Sequence, residues 1–183
     1  MVERGTGNKP VSRESGSDKA AWVQAALAQY EGPLVRYAAR LVGNVERGRE
    51  VVQDTFLRLC ERNPAELNGD LACWLFTVCR RRSLDVRKKE LRVTTATMEK
   101  LDTTDGSTGP AEAMESRQEQ SKVQAAVAEL PEREQEIIRL KFEAGLSYKQ
   151  IAEVMELSVG NVGFLLHTAM GKLRQKLDVS ERH

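Results

Sequence analysis

Aromatic residues are scarce: they make up only 5% of the chain, as two Trp, three Tyr and four Phe, while charged residues make up 30%. Sheet-on-sheet cores lean on aromatic and β-branched residues, so this balance favours helices. Cysteine is almost missing too. Cys60, Cys73 and Cys79 form an odd set of three without a C-x-x-C pair. They are expected to be free, buried thiols in a reducing compartment rather than a disulfide framework. The two histidines, His167 and His183, lie far along the chain and supply no zinc-ligand spacing, so no metal or cofactor is expected. Long apolar runs are absent. The longest, Leu71 to Cys79, is about half the roughly 20 residues of a membrane helix. The polar start VERGTGNKPVSRESGSDK has no apolar leader segment. A soluble, cytoplasmic protein is expected. A large net charge is missing as well: 28 Lys and Arg stand against 27 Asp and Glu, for +1, which excludes a uniformly basic, histone-like chain. No internal repeat is visible.

The charge is nevertheless unevenly placed. Residues 21–92 carry thirteen bases and nine acids, residues 93–120 two bases and six acids, and residues 121–183 nine of each. Within the first block Arg80, Arg81, Arg82, Arg87, Lys88, Lys89 and Arg92 face only Asp85 and Glu90, a density that reads as a nucleic-acid patch rather than a solvated helix end. The stretch VTTATMEKLDTTDGSTGP is rich in Thr, Asp, Ser and Gly and reads as an acidic flexible linker. Four segments are therefore expected: a disordered tail at 1–17, a domain at 18–92, a linker at 93–109 and a second domain at 110–183.

Both domains read as helical. Asp18 can cap a helix to about Tyr30, with Trp22, Ala26 and Leu27 on one face, and Pro33 suits the first turn of a second helix ending near Gly43. Asn44 can cap a third, whose Val51, Val52, Thr55, Phe56 and Leu59 recur at three and four. Asn63-Pro64 stops it. Asp70 can cap a fourth, from Leu71 to about Leu91, with Leu71, Leu75, Val78 and Leu84 inward. Pro110 and Pro131 start two more, the first running to about Glu129 and the second to Gly145. The expected fold class is all-α, as two small bundles joined by the linker.

The sharpest local signal comes next. Ser147-Tyr148-Lys149-Gln150 has the S-x-x-Q spacing of a capping box, opening a short helix with Ile151, Ala152 and Met155 on its apolar face. Leu157-Ser158 makes a tight turn, and Ser158 can cap a last helix in which Val162, Leu165, Leu166, Ala169 and Leu173 repeat at helical spacing. Small Ala152 lets the two helices cross closely. This is the arrangement of a helix-turn-helix, whose second helix enters the DNA major groove, with an ordinary αα-corner as the plain alternative. Asn161, Phe164, His167, Thr168 and Lys172 then point away from the bundle. The alternative for Phe164 is a slight rotation that completes the core. Gly160, Gly163 and Gly171 weaken the helix by roughly 1 kcal/mol each relative to alanine, and allow close backbone approach to phosphate.

These modules resemble a known family. GREVVQDTFLRLCER with CWLFTVCRRRSLDVRKKELR resembles region two of bacterial sigma-70 family sigma factors. AVAELPEREQEIIRLKFEAGLSYKQIAEVMELSVGNVGFLLHTAMGKLRQKL resembles region four. The short linker is similar to that of the extracytoplasmic-function (ECF) group, which has only these two domains. The resemblance implies that Glu50, Gln53, Asp54 and Leu57 contact the clamp helices of the largest polymerase subunit. It implies that Asn63, Asn68 and Asp70 offer hydrogen-bonding edges to unpaired minus-ten bases, with turn and capping chemistry as their plain alternative, while Arg80, Arg81, Arg87 and Lys88 hold phosphates. Trp74 lies where the family places a tryptophan, with core packing as its expected job here. Lys149, Ser158, Asn161, Gly163, Phe164, His167, Thr168 and Lys172 would meet the minus-thirty-five element. Implied partners are core RNA polymerase, including the flap of its second-largest subunit, and promoter DNA; an anti-sigma protein stays open. The chain departs from the family where Asn commonly follows the first Arg of the basic helix, since Arg81 stands there. Its recognition helix is also poorly basic, so Lys149, Lys172, Arg174 and Lys176 carry more of the anchoring.

The implied function is a sigma factor, a dissociable non-catalytic subunit that gives polymerase its promoter choice and helps melt DNA. The alternative is an autonomous dimeric helix-turn-helix regulator, which needs neither VVQDTFLRL nor the basic segment 80–92. An enzyme is disfavoured, because no Cys-His, Ser-His or metal-ligand constellation is present.

Overall fold

The computed structural model describes residues 14–67, 70–94 and 122–180, and every regular element among them is helical. Helix α1 (Glu14–Val42) begins four residues ahead of Asp18 and runs unbroken through Pro33. The expected division into two helices is therefore wrong. Proline lacks an N–H and deprives the carbonyl four residues earlier of its partner, a local cost that normally kinks or ends a helix. Here residues on both sides of it, Ala26, Leu34, Tyr37 and Ala38, are buried in one continuous core, so packing overrides the break. Of the three residues expected on one face, Ala26 is buried, Trp22 half-buried and Leu27 exposed.

A two-residue turn at Gly43-Asn44 sends α2 (Val45–Cys60) back antiparallel along α1. Asn44 caps it, its side chain accepting from the Arg47 N–H at 3.1 Å. Val51, Val52, Thr55, Phe56 and Leu59 are all buried, as the spacing predicts. Gly48 is buried where the two helices meet: a Cβ there would lie 2.8 Å from the Ala39 backbone nitrogen. After a 3₁₀ turn at Pro64–Leu67, α3 (Leu71–Thr94) completes a three-helix bundle. Its buried residues are Cys73, Leu75, Phe76, Cys79 and Ser83, whereas Leu71, Val78 and Leu84 are only half-buried. The expected inward stripe was thus misplaced, because α3 is covered on two sides. Phe76 packs edge-on to Tyr37 at 5.3 Å on one of them. Truncating a fully buried side chain such as Leu34, Leu59 or Leu75 to alanine costs about 2–5 kcal/mol.

The second bundle holds α4 (122–128), α5 (Glu132–Ile138), α6 (Tyr148–Met155) and α7 (Val159–Ser180) around Ile137, Leu140, Leu146, Ile151, Val154, Val162 and Ala169. Past Ile138 the helix widens into a π turn, Arg139–Glu143, and ends at Gly145 with φ +69°. The widened turn leaves Phe142 61% exposed. Residues 110–121, the linker core 95–109 and the tail 1–13 lie outside the described residues.

The two bundles also touch one another among the described residues. Helix α3 packs directly against α6. Among the described residues no helix is long and apolar enough to cross a membrane.

Candidate nucleic-acid interface

The helix-turn-helix assembles as its caps dictate. Ser147 accepts from the Gln150 N–H at 3.3 Å, and Gln150 Oε1 accepts from the Ser147 N–H at 2.8 Å, completing the capping box. The turn after α6 is made by Glu156 in the left-handed region, φ 56° and ψ 47°. Ser158 then caps α7 by accepting from the Asn161 N–H at 3.2 Å, so its hydroxyl already has a structural task. Val162, Leu166, Ala169 and Leu173 are buried and Leu165 half-buried. The opposite face carries Asn161, Phe164 and His167 in the open and Thr168 partly so. Phe164 is 69% exposed, which excludes the rotation that returns it to the core. A Cβ on Gly163 would meet only Tyr148 Cε2, at 3.9 Å, and one on Gly171 nothing within 4 Å, so the chain's own packing does not require glycine at either position. Lys149 is exposed, but Lys172 folds back to donate to Glu134 at 2.6 Å, and Lys176 pairs with Glu129.

On the first bundle an apolar groove runs between α1 and α2, walled by Leu27, Val35, Val52, Phe56 and Leu57 with Gln53 and Cys60 along it. Leu57 is 59% exposed, and Glu50 and Gln53 also face outward. Asp54 differs from the expected solvent-side residue: Arg82 reaches it at 2.8 Å, joining α2 to α3. Cys60 is exposed, contrary to the expectation of three buried thiols. Burial pushes the Cys73 and Cys79 thiols up to about 12.

The residues expected to capture minus-ten DNA have mixed surroundings. Asn63 accepts from the Ala65 N–H at 3.1 Å, which is turn chemistry. Asn68 lies outside the described residues. Asp70 accepts from the Cys73 N–H at 3.4 Å as a cap and from Gln150 Nε2 at 2.7 Å. Trp74 is half-buried against the core, with the Arg62 guanidinium 5.9 Å over its ring.

The basic segment is not the open phosphate-binding face that the sequence implies. Arg80 Nε donates to Glu136 Oε1 at 2.7 Å, Arg81 pairs with Glu156 at 3.1 Å and Arg87 with Glu132 at 3.1 Å. Of the four expected phosphate holders, only Lys88 stands exposed without such a contact. The Tyr37 hydroxyl also donates to Glu136 Oε1, at 2.7 Å. Burial, with the Glu136 charge beside it, holds the Tyr37 phenol well above its ordinary value. Burial lowers the Arg80 value, but the hydrogen bond and charge of Glu136 outweigh it and the net direction is up. Burial, together with the nearby Arg40 charge, lowers Arg139. The sequence marks Gln150 only as part of a capping box, and Glu132, Glu136 and Glu156 not at all. An acid in a first helical turn, as Glu132 is, is ordinary, and nothing local marks any of the three acids as the partner of an arginine 45 to 75 positions away.

Comparison with known proteins matches this geometry to a family. Residues 27–93 match the model for sigma-70 region 2, and residues 120–173 that for sigma-70 region 4. The ECF RNA polymerase sigma factor SigL of Mycobacterium tuberculosis is 31% identical over 91% of this chain and 96% of its own. The ECF factor SigW of Bacillus subtilis is 26% identical over 81% of this chain and 84% of its own. Among solved structures, the sigma factor RpoE in complex with the anti-sigma factor NepR from Bartonella quintana superposes with a TM-score of 0.62, at 20% identity, over 91% of this chain and 98% of that one. CnrH in complex with the cytosolic domain of CnrY gives 0.59 at 21% identity, over 91% and 94%. With both regions present in order and a relative matched over nearly its whole length, the chain belongs to the ECF sigma factors of the sigma-70 family, which direct RNA polymerase to promoters.

Proposed function

We propose that the chain is a non-catalytic, cytoplasmic subunit whose promoter-directing work is divided among three surfaces. The α1–α2 groove, with Glu50, Gln53 and Leu57, receives the clamp helices of the largest core subunit. Asp70, the turn before it and the cations of α3 hold the separated minus-ten strand. Asn161, Phe164, His167 and Thr168 read the minus-thirty-five element, with Phe164 against a thymine methyl. Energy for strand separation comes from binding the extruded bases, so the chain needs no nucleotide of its own.

The observation that carries this reading is the open groove, with Leu57 59% exposed at its wall, on the same chain as an outward-facing helix-turn-helix. An exposed apolar groove implies a protein partner. The similar solved structures, one in complex with an anti-sigma factor and one with the cytosolic domain of CnrY, support a further protein partner for this chain.

Gel filtration with core polymerase, followed by run-off transcription on a library of genomic fragments, tests the function. The chain should co-elute with core and confer starts at a small set of fragments that core alone does not use. Absence of both effects would sink the proposal.

A further inference from the structure

The recognition helix α7 is short of cations, and two of its lysines end on acids of the same bundle. Lys172 Nζ donates to Glu134 Oε1 at 2.6 Å, and Lys176 pairs with Glu129. Lys149 and Arg174 are exposed and form no ion pair among the described residues. The two lysine pairs differ in depth. The Glu134 side chain is 9% exposed, and its Oε2 is buried without a hydrogen-bond partner. Among the described residues, Lys172 is the only side chain that donates to this carboxylate. Glu129, by contrast, is 65% exposed.

Depth decides which lysine a phosphate can take. Moving Lys172 onto DNA would leave a buried carboxylate with neither a counter-charge nor a donor, the strongly unfavourable way to break a buried pair. A phosphate at the protein surface gives the ammonium a solvated partner in exchange and does not recover that loss. Drawing Lys176 away leaves Glu129 to water, and exposed pairs of that kind hold together weakly. Lys172 therefore stays, and Lys176 can leave.

We infer that Glu134 is a positioning residue for promoter binding: it retains Lys172 within the second bundle, so that α7 meets DNA with one phosphate contact fewer than its sequence offers. The inference rests on the reading of the second bundle as the binder of the upstream element. Lys149, Arg174 and Lys176 then supply the backbone contacts. Asn161, Phe164, His167 and Thr168 read the bases with no lysine or arginine among them, and attraction to duplexes of any sequence stays low.

The test measures binding of the full chain to a labelled pool of random-sequence duplex DNA by fluorescence anisotropy, from roughly 50 to 200 mM salt. Glu134→Gln keeps the volume of the side chain and removes the charge that retains Lys172. The slope of log affinity against log salt should steepen by about 0.9, so the affinity lost over this range grows about three- to fourfold. Glu129→Gln also removes one acid facing α7, but its lysine is already able to leave, so the slope should stay parental. Equal steepening in both variants would make the effect one of net charge and overturn the inference. An unchanged slope in a folded Glu134→Gln would overturn it too. The double variant Glu134→Leu with Lys172→Leu replaces the pair by apolar groups and should keep the parental slope, because Lys172 touches no phosphate in the parent. A slope flatter by about 0.9 there would put Lys172 on DNA and sink the inference; this variant decides if Glu134→Gln loses its helicity. Lys149→Gln separates the inference from the reading beneath it. It should flatten the slope by about 0.9, and an unchanged slope would overturn the reading and the inference together. A flattened slope there, beside a parental slope in Glu134→Gln, overturns the inference alone.

Discussion

Gln150 Nε2 donates to Asp70 Oδ1 at 2.7 Å, so one side-chain amide joins the N-terminal caps of two helices 80 positions apart. The oxygen of that amide, Oε1, accepts from the Ser147 N–H to close the capping box, and the same Asp70 oxygen caps α3. Gln150→Ala is therefore expected to lower unfolding stability by about 1–2 kcal/mol, more than loss of a surface glutamine. In a double-mutant cycle with Asp70→Ala, followed by urea titration, the two changes should couple by about 0.5–1.5 kcal/mol. Strict additivity would mean that the bridge contributes nothing.

The polymerase contact is best probed at Leu57. Asp54 is tied to Arg82, so changing it also disturbs the α2–α3 packing. Leu57→Asp places a charge on an exposed groove wall and should leave the melting temperature nearly unchanged, within about 0.5 kcal/mol. Core affinity, measured by fluorescence competition, should fall tenfold or more, or about 1.4 kcal/mol.

Base reading is assigned to the open face of α7. His167→Ala or Asn161→Ala, in holoenzyme selecting from a randomised upstream element, should change the preferred sequence, each lost base contact removing about 1–3 kcal/mol of discrimination. Variants that choose the parental sequences with parental preference would place the reading residues elsewhere.

Thiol chemistry should divide the cysteines. Cys60 is exposed, and Cys73 and Cys79 are buried with their ionisation pushed from 9.0 to about 12. Ellman's reagent at mildly alkaline pH should titrate one thiol quickly in the native chain and three in urea. An acid whose folded value is raised favours folding below its unfolded value and loses that contribution as pH climbs to the folded one. Stability should therefore decline across pH 9 to 12, with the raised Tyr37 adding to the loss. Urea midpoints that stay level through the lower half of that window would contradict the burial of these groups.

Glu156 holds a left-handed conformation that β-branched residues avoid. Glu156→Val should cost about 1–3 kcal/mol by thermal or urea unfolding, while Glu156→Gly, which removes the steric conflict, should be neutral or mildly stabilising.

The local features of this fold were open to reading from sequence, and the long-range ones were not. Periodicity located the α2 stripe, and capping chemistry placed Asn44, Asp70, Ser147 and Ser158 at helix starts where the structure has them. Pro33 misled because a proline signals a helix start or break only when tertiary packing does not bridge it. The α3 stripe misled because a helix covered on two sides buries residues that a single amphipathic face does not predict, Cys73 and Cys79 among them. Lys172 of α7 folds back onto Glu134, whereas Asn161, Phe164 and His167 face outward as their spacing implies. The arginines of α3 do not, since pairing with Glu132, Glu136 and Glu156 is a matter of tertiary approach that leaves no mark on either segment alone.

Gly48 sets a dimension for which no side chain is responsible. Because a Cβ there would press on the Ala39 backbone at 2.8 Å, any other residue acts as a wedge near the Gly43-Asn44 end of the α1–α2 hairpin. The same two helices wall the groove further along, from Arg49 to Cys60 on one side and from Val23 to Val35 on the other. A wedge at one end of a pair of rods changes the spacing at the other. The fit of a polymerase helix into the groove is thus calibrated by the absence of a single methyl group outside it. Substitutions at Gly48 should weaken that fit without altering any residue that the partner touches.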